Sequence, residues 1–138
     1  MGYVGWALLA MITYGTAAIF LKLAFRGITP GTALIVANIF VIGAGIIWSY
    51  ASGVPIQRQL GFNQPTLYLL LAGALLGVSI SSYYKALSLG SASVVVPIFA
   101  LSFTVAAILG FLVLGEPLKL TRILGLVFAA AAIVLLTR

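Results

Sequence analysis

Ionisable and hydroxyl-bearing side chains are rare in the long apolar segments of this chain, and those present are its first candidates for chemistry. One helical face, with offsets of three or four residues, carries Ser81, Tyr84, Lys85 and Ser88. A cation, a phenol and hydroxyls on one face suit the wall of a polar cavity. An equally good interpretation makes Lys85 an anchor at a membrane edge, because its long stem lets the ammonium snorkel. The anchor role is favoured for Lys22.

Three more residues deep in apolar segments are candidates for lining a cavity. The amide of Asn38 needs a partner, for which a hydrogen bond to another helix is favoured over a substrate contact. The hydroxyls of Thr13 and Thr16 can bond back to their own helix, but the phenol of Tyr14 cannot easily do so, and we expect it to point into a bundle. Pro97 removes a backbone hydrogen bond, which predicts a kink and a freed carbonyl.

The only carboxylate of the chain, Glu116, lies in the stretch LVLGEPLKL between two apolar segments. Pro117 follows it where a helix is expected to begin, and a carboxylate at a helix N-terminus is stabilised by unsatisfied N–H groups and the helix dipole. A proton-carrying role would need burial at mid-membrane. We therefore interpret Glu116 and Pro117 as structural.

Composition defines the surroundings of these residues. The chain has 138 residues, of which 64% are hydrophobic and 6% charged, whereas about a quarter of a soluble domain is charged. Seven basic residues and one acidic residue give a net charge of +6, but they are scattered, which argues against nucleic acid as a partner. Without cysteine or histidine, the sequence predicts no metal site, no cofactor and no nucleophile–base pair of an enzyme.

Five segments are long enough to supply the roughly 20 apolar residues that cross a bilayer core. They cover residues 3–25, 32–51, 66–86, 91–114 and 118–137. The breaks between them are short, and only the polar loop 52–65 is long enough to leave the membrane surface. The predicted fold is an all-α polytopic membrane protein with five transmembrane helices in a single domain, residues 1–138.

An odd number of spans places the termini on opposite sides of the membrane. One side then carries Lys22, Arg26, Lys85 and Arg138, and the other carries Arg58, Lys119 and Arg122. Orientation follows the excess of Lys and Arg in short loops. Such a small excess leaves both a single orientation and insertion in both orientations open.

Small residues recur at four-residue spacing in the last three spans, as is typical of closely packed transmembrane helices. They are Gly73, Gly77 and Ser81, then Ser102, Ala106 and Gly110, then Gly125 and Ala129. Such spacing is common in polytopic proteins, but its presence in three consecutive spans predicts that these spans pack tightly as a unit. The pattern concerns packing and not chemistry.

The last two spans, SASVVVPIFALSFTVAAILGFLVLGEPLKLTRILGLVFAAAAIVLL, resemble the drug/metabolite transporter superfamily in its EamA-type form. The shared pattern is a small-rich helix start, a mid-helix Pro, a Gly-Glu-Pro element and a Gly-rich last helix, supplied here by Ala92, Pro97, Gly115, Glu116, Pro117 and Gly125. Upstream, YYKALSLGSAS is similar to the lead-in of that motif. One EamA repeat has five spans of about this length, so the resemblance covers essentially the whole chain.

Because most members of the superfamily join two inverted repeats, the resemblance implies that a lone repeat assembles with a partner into a ten-helix dimer. An antiparallel homodimer restores the inverted arrangement, and the balanced charges favour it. A parallel homodimer and an unlike single-repeat partner are also open. The resemblance further implies the cytoplasmic (inner) membrane of a prokaryote.

Two departures limit what carries over from the superfamily. The more distantly similar small multidrug resistance branch has an essential Glu in its first helix at the position of Tyr14, so its proton-coupled export of cations is not expected here. Many ten-span members carry an Arg near the position of Asn38. Their substrate contacts therefore do not transfer directly.

The predicted function is a small secondary transporter or facilitator that works by alternating access as a dimer in the lipid bilayer. Its small-molecule substrate is expected to be neutral, zwitterionic or anionic, and the cavity candidates are Tyr14, Asn38, Ser81, Tyr84, Lys85 and Pro97. The alternative is a flippase-type or accessory membrane subunit that handles lipid-linked substrates with another chain. A purely structural membrane protein is a third hypothesis, and an enzyme is the least favoured.

Overall fold

The computed structural model describes residues 2–53, 56–61, 63–115 and 120–137. Over these residues the chain is helical, with no strand. The helices are α1 (Tyr3–Ala24), α2 (Pro30–Ala51), α3 (Ile56–Gln59), α4 (Gln64–Leu89), α5 (Ala92–Ala100), α6 (Ser102–Leu114) and α7 (Leu120–Thr137).

Within the described ranges, four segments are long and apolar enough to cross a membrane. They are α1, α2, α4 and the stretch Ala92–Leu114, which α5 and α6 form together. A shorter apolar stretch, Ile123–Ala132, lies in α7. The prediction of an all-helical chain with several membrane-length helices is confirmed, and the crossing by α7 stays a prediction.

Side-chain capping explains why α2 begins before residue 32, where hydropathy alone places its start. The hydroxyl of Thr29 accepts a hydrogen bond from the Thr32 N–H at 3.4 Å, and Pro30 occupies the first helical turn. Both features favour a helix start, because a side-chain oxygen satisfies an N–H that has no partner within the helix, and proline lacks that N–H altogether.

The same effect lengthens α4, which was predicted over residues 66–86. Asn63 Oδ1 accepts the Thr66 N–H at 3.0 Å and caps the helix, which begins at Gln64. At the other end α4 continues to Leu89, so that it has 26 residues. A helix of this length measures about 39 Å, which is more than the hydrocarbon core of a bilayer requires.

The chain divides into two compact units. One contains residues 1–20 with 89–138 and therefore most of α1 together with α5, α6 and α7; within it, α5 contacts both α6 and α7. The other contains residues 21–88 and therefore the end of α1, α2, α3 and nearly all of α4. The described hydrophobic residues that are buried are few: Ala18, Ala33, Tyr83, Tyr84 and Leu87. Such a small core fits a chain whose apolar side chains face lipid.

The predicted break after residue 114 is present. α6 ends at Leu114, and Gly115 adopts a left-handed conformation with a φ of 65°. Glycine takes this conformation without the steric penalty that a Cβ brings, which makes it the usual residue just past a helix end. Glu116 and Pro117, interpreted as the cap of the next helix, lie outside the described residues.

Candidate functional site

The C-terminal third of α4 holds the main buried cluster of the second unit. Tyr83, Tyr84 and Leu87 are 3%, 7% and 0% exposed. The ring of Phe25, which follows α1, meets the ring of Tyr84 edge to face with a centroid distance of 5.8 Å. Aromatic pairs in this arrangement stabilise contacts beyond the area they bury, so the cluster joins the end of α1 to the end of α4.

A lysine strengthens this contact between the end of α1 and the end of α4. Lys22 Nζ donates a hydrogen bond of 2.9 Å to the backbone carbonyl of Leu87. That carbonyl is in the last turn of α4, where carbonyls have no N–H partner within the helix, and a cation also interacts favourably with this end of the helix dipole. Lys22 is half-buried. It is therefore a cap that ties the end of α1 to the end of α4. Its interpretation as a membrane-edge anchor stays a prediction, and the two roles are compatible because the bond is made at a helix end.

The polar face predicted on α4 is divided in the structure. Tyr84 is buried, whereas Ser81 and Lys85 are exposed. The hydroxyl of Ser81 donates to Gly77 O at 2.7 Å and that of Ser88 donates to Lys85 O at 2.8 Å, so both bond to their own helix. Tyr84 is thus committed to packing within the chain, and Ser81 and Lys85 are presented outward.

Asn38 lies on α2 in the same unit, and its hydrogen bond differs from the prediction. Its amide Nδ2 donates to Leu34 O at 2.7 Å, one turn back along the same helix. The expected bond to another helix is not made among the described residues. The side chain is exposed. Sequence reasoning overlooked that an asparagine amide, like a serine hydroxyl, can reach the carbonyl four residues earlier.

Tyr14 and Pro97 belong to the other unit. The ring of Tyr14 stacks on Phe99 of α5 with a centroid distance of 5.8 Å and an interplanar angle of 12°. The neighbouring hydroxyls of Thr13 and Thr16 donate to Leu9 O and Ile12 O, as predicted. Tyr14 is 43% exposed, so that it packs on α5 without being enclosed.

Pro97 lies inside α5, and the helix is interrupted four residues later. The N–H of Leu101 donates to Ile98 O, three residues back, at 3.1 Å, and the Thr104 N–H donates to Leu101 O at 2.9 Å. These short-range bonds mark a tightened turn between α5 and α6. The turn lies on the C-terminal side of Pro97, whereas the hydrogen bond that proline lacks would run back to the carbonyl of Ser93, so the predicted kink at Pro97 stays a prediction. The buried hydroxyl of Thr104 has no hydrogen-bond partner among the described residues.

Three of the glycines predicted to pack closely have open space beside them among the described residues. A Cβ added to Gly73, Gly77 or Gly125 would meet no other atom within 4 Å. The fourth, Gly110, is half-buried on α6. The small-residue spacing leaves open helix surface at these three positions within their own units, and the tight packing of the last three spans stays a prediction.

An open groove at the other end of the second unit was missed from sequence. It has a volume of about 650 Å³ and lies between the end of α2, α3 and the start of α4. Its lining combines the polar and aromatic side chains of Trp48, Ser49, Ser52, Gln59 and Thr66 with apolar ones such as Ile56, Leu60 and Leu69. A tryptophan among hydroxyl and amide groups is typical of a membrane interface. The available signal was the loop 52–65, the longest polar stretch between the apolar segments.

The predicted cavity residues therefore occur in two groups. The second unit holds Asn38 on α2 and Ser81, Tyr84 and Lys85 on α4; the first holds Tyr14 and Pro97, joined through the contact of Tyr14 with Phe99. The length and apolar composition of four helical segments among the described residues indicate a multi-pass integral membrane protein.

Comparison with known proteins gives the class of this membrane protein. The chain belongs to the EamA-like transporter family, which matches residues 1–138. It is 33% identical to the "Uncharacterized transporter in cobO 3'region" of Sinorhizobium sp, over 95% of this chain and 93% of that protein. No solved structure matches the chain significantly. The resemblance noted from sequence is confirmed, and the family indicates a membrane transporter rather than an enzyme.

Proposed function

We propose that this chain is a small secondary transporter that works by alternating access as a homodimer in the cytoplasmic membrane of a prokaryote. Two findings support the proposal. The chain belongs to a transporter family, and the Sinorhizobium relative, which is named a transporter, is matched over 93% of its own length. That relative is thus about one repeat long, and a pair of such chains supplies the ten helices in which inverted repeats form a site near mid-membrane.

The observation that carries the proposal is the outward presentation of Lys85 beside Ser81. Lys85 is exposed in the single chain, although the preceding residue, Tyr84, is buried. Lys85 lies four residues before the end of α4, about 6 Å along the helix axis. A second copy placed against this face encloses the cation and the hydroxyl in a shared cavity, where they contact substrate.

The charge in such a cavity defines the substrate class. Each copy contributes one Lys85 ammonium group, and in an antiparallel pair the two groups lie toward opposite ends of the cavity, because Lys85 is close to the end of α4. Position 14 supplies a phenol instead of a carboxylate. Positive charge without a compensating acid favours an anionic, zwitterionic or neutral metabolite over a cation. Transport is therefore expected for small acids or amino acids and not for cationic drugs.

The purified chain tests this proposal in proteoliposomes by counterflow of labelled amino acids, dicarboxylates and a polyamine. We expect uptake of an amino acid or a dicarboxylate, which Lys85→Ala lowers roughly tenfold or more because a buried charged contact is lost. Lys85→Arg should retain part of the activity. Arg26→Ala, which removes an exposed loop cation, is the matched control. Parental uptake by Lys85→Ala would remove Lys85 from the site and leave it as an edge anchor.

A second candidate function rests on the groove between α2, α3 and α4. Its volume of about 650 Å³, its openness to the outside and its interfacial type of lining suit the polar head of a lipid-linked substrate. This favours a flippase-type or accessory subunit that works with another chain. Such a subunit should co-purify with an unlike membrane protein at fixed stoichiometry, whereas a homodimeric transporter should purify alone.

A further inference from the structure

Asn38 carries hydrogen-bonding groups that no described residue of the chain satisfies. Its Nδ2 uses one N–H in the bond to Leu34 O. Its second N–H and its carbonyl oxygen, Oδ1, have no hydrogen bond among the described residues, and the side chain is exposed on α2. One donor and one acceptor therefore project together from an otherwise apolar helix surface, next to Ile35 and Val41, which are 67% and 66% exposed.

The aromatic anchor of α2 places this amide close to the bilayer midplane. Trp48 follows Asn38 by ten residues on the same helix, which corresponds to about 15 Å along the axis. Half the thickness of a hydrocarbon core is also about 15 Å. When Trp48 lies at the interface, where tryptophan is enriched, Asn38 therefore lies at the centre of the membrane. Lipid at that depth has no group that can satisfy an amide.

The geometry points to a second copy of this chain as the partner: we propose that the α2 faces around Asn38 dock on each other, with reciprocal Asn38–Asn38 amide hydrogen bonds at the midplane. An amide with one free donor and one free acceptor is complementary to its own copy across a two-fold axis. Asparagine side chains in transmembrane helices associate helices in this manner. The inference rests on the proposed homodimer and names the surface through which it forms.

The depth of Asn38 also agrees with the antiparallel arrangement. In an antiparallel pair only a residue near the midplane meets its own copy, since residues at other depths face a different level of the partner. Gly31 and Gly45 lie seven residues before and after Asn38, on the same face of α2. A Cβ added to either meets no atom of the described residues within 4 Å, and neither glycine has a positive φ. Both positions thus accept a cysteine within the protomer.

This symmetry gives a crosslinking test on a chain that has no natural cysteine. In membranes, a short bifunctional thiol reagent should join Gly31→Cys of one copy to Gly45→Cys of another when the two variants are co-expressed, and neither variant should crosslink when expressed alone. Crosslinking of each variant to itself would support the α2 face in a parallel pair and overturn the antiparallel arrangement. No crosslink in any combination overturns the proposed face.

A dimerisation assay tests the amide itself. Dissociation of the purified protein in lipid bicelles is measured by energy transfer between labelled copies. Asn38→Leu should raise the dissociation constant about 5- to 30-fold, as expected for two interhelical amide bonds, and Asn38→Gln should restore part of the affinity. Thr16→Val is the matched control, because it removes a polar group whose hydroxyl already donates to Ile12 O of its own helix.

The two tests separate failure of this inference from failure of the proposed function. If Asn38→Leu raises the dissociation constant no more than Thr16→Val does, the α2 interface is overturned. A homodimeric transporter that forms through another face is then still possible. If Asn38→Leu abolishes counterflow but leaves the dissociation constant unchanged, Asn38 contacts the substrate, and the α2 interface is again overturned. A chain that stays monomeric in lipid contradicts both proposals.

Discussion

Removal of the Lys22 cap is the perturbation whose effect follows most directly from the structure. Lys22→Met keeps an apolar stem of similar length but deletes the donor of the 2.9 Å hydrogen bond to Leu87 O. A hydrogen bond to a charged group contributes about 1.5–3 kcal/mol, and ordering a lysine side chain opposes this by up to about 2 kcal/mol. Since the cation also stabilises the C-terminal end of α4, we expect a net loss of about 1–2 kcal/mol.

Equilibrium unfolding measures this loss when SDS is titrated into the protein in mild detergent micelles and helicity is followed by circular dichroism. A change of about 1–2 kcal/mol corresponds to a 5- to 30-fold change in the unfolding equilibrium. Lys22→Arg, which keeps a cationic donor, should recover part of the stability. Arg26→Met is the matched control, because it removes the same charge from an exposed position four residues later.

Equal stability of Lys22→Met and Arg26→Met would refute the reasoning. It would mean that the ammonium gains no more from the carbonyl of Leu87 than from water or lipid headgroups. The joint between α1 and α4 would then depend on the aromatic contact of Phe25 with Tyr84 and on the burial of Leu87 alone.

Further predictions concern the first unit. Pro97→Ala restores an N–H inside α5, and amide exchange of residues 98–101 should slow at least tenfold, because proline in a helix interior costs about 3 kcal/mol. Unchanged exchange would show that the interruption at Leu101 has another cause. Tyr14→Ala removes the stack on Phe99 and should lower the unfolding free energy by about 0.5–1.5 kcal/mol, whereas Tyr14→Phe should keep most of it. Gly115→Ala should lower the unfolding free energy by about 1–2 kcal/mol, because the φ of Gly115 is +65°. Gly125→Ala, in a helix and with open space for a methyl group, should leave the unfolding free energy unchanged or raise it. Equal losses at both positions would contradict the left-handed conformation of residue 115.

The membrane-length helices were predictable because apolar runs and the residues that break them are local signals. Helix ends were less so: Thr29 and Asn63 extend α2 and α4 by capping, and hydropathy does not register a hydrogen bond from a side chain. The backbone hydrogen bond that Pro97 lacks was predictable as well, because it is a property of a single residue. The tightened turn at Leu101, four residues later, was not predicted.

Contacts between distant parts of the chain were not predictable from residue types. The bond from Lys22 to Leu87 O joins positions 65 residues apart, and nothing in the local sequence of Lys22 distinguishes a helix cap from a membrane anchor. The helical conformation of the segment that carries Tyr84 and Lys85 was predicted correctly. The burial of Tyr84 and the exposure of Lys85 were not, because they depend on which side of α4 meets the end of α1. Small-residue spacing likewise does not state whether the partner helix belongs to the same chain or to a second copy.

The central claim, that two copies in opposite orientations form the transporter, is tested most directly by the accessibility of single cysteines in two loops. Gly27→Cys lies between α1 and α2 and Gly61→Cys between α3 and α4, and a Cβ at either makes at most an ordinary contact. A membrane-impermeant thiol reagent added to intact cells should label about half of the molecules at each position, because both orientations are present. Complete labelling at one position with none at the other would contradict the claim.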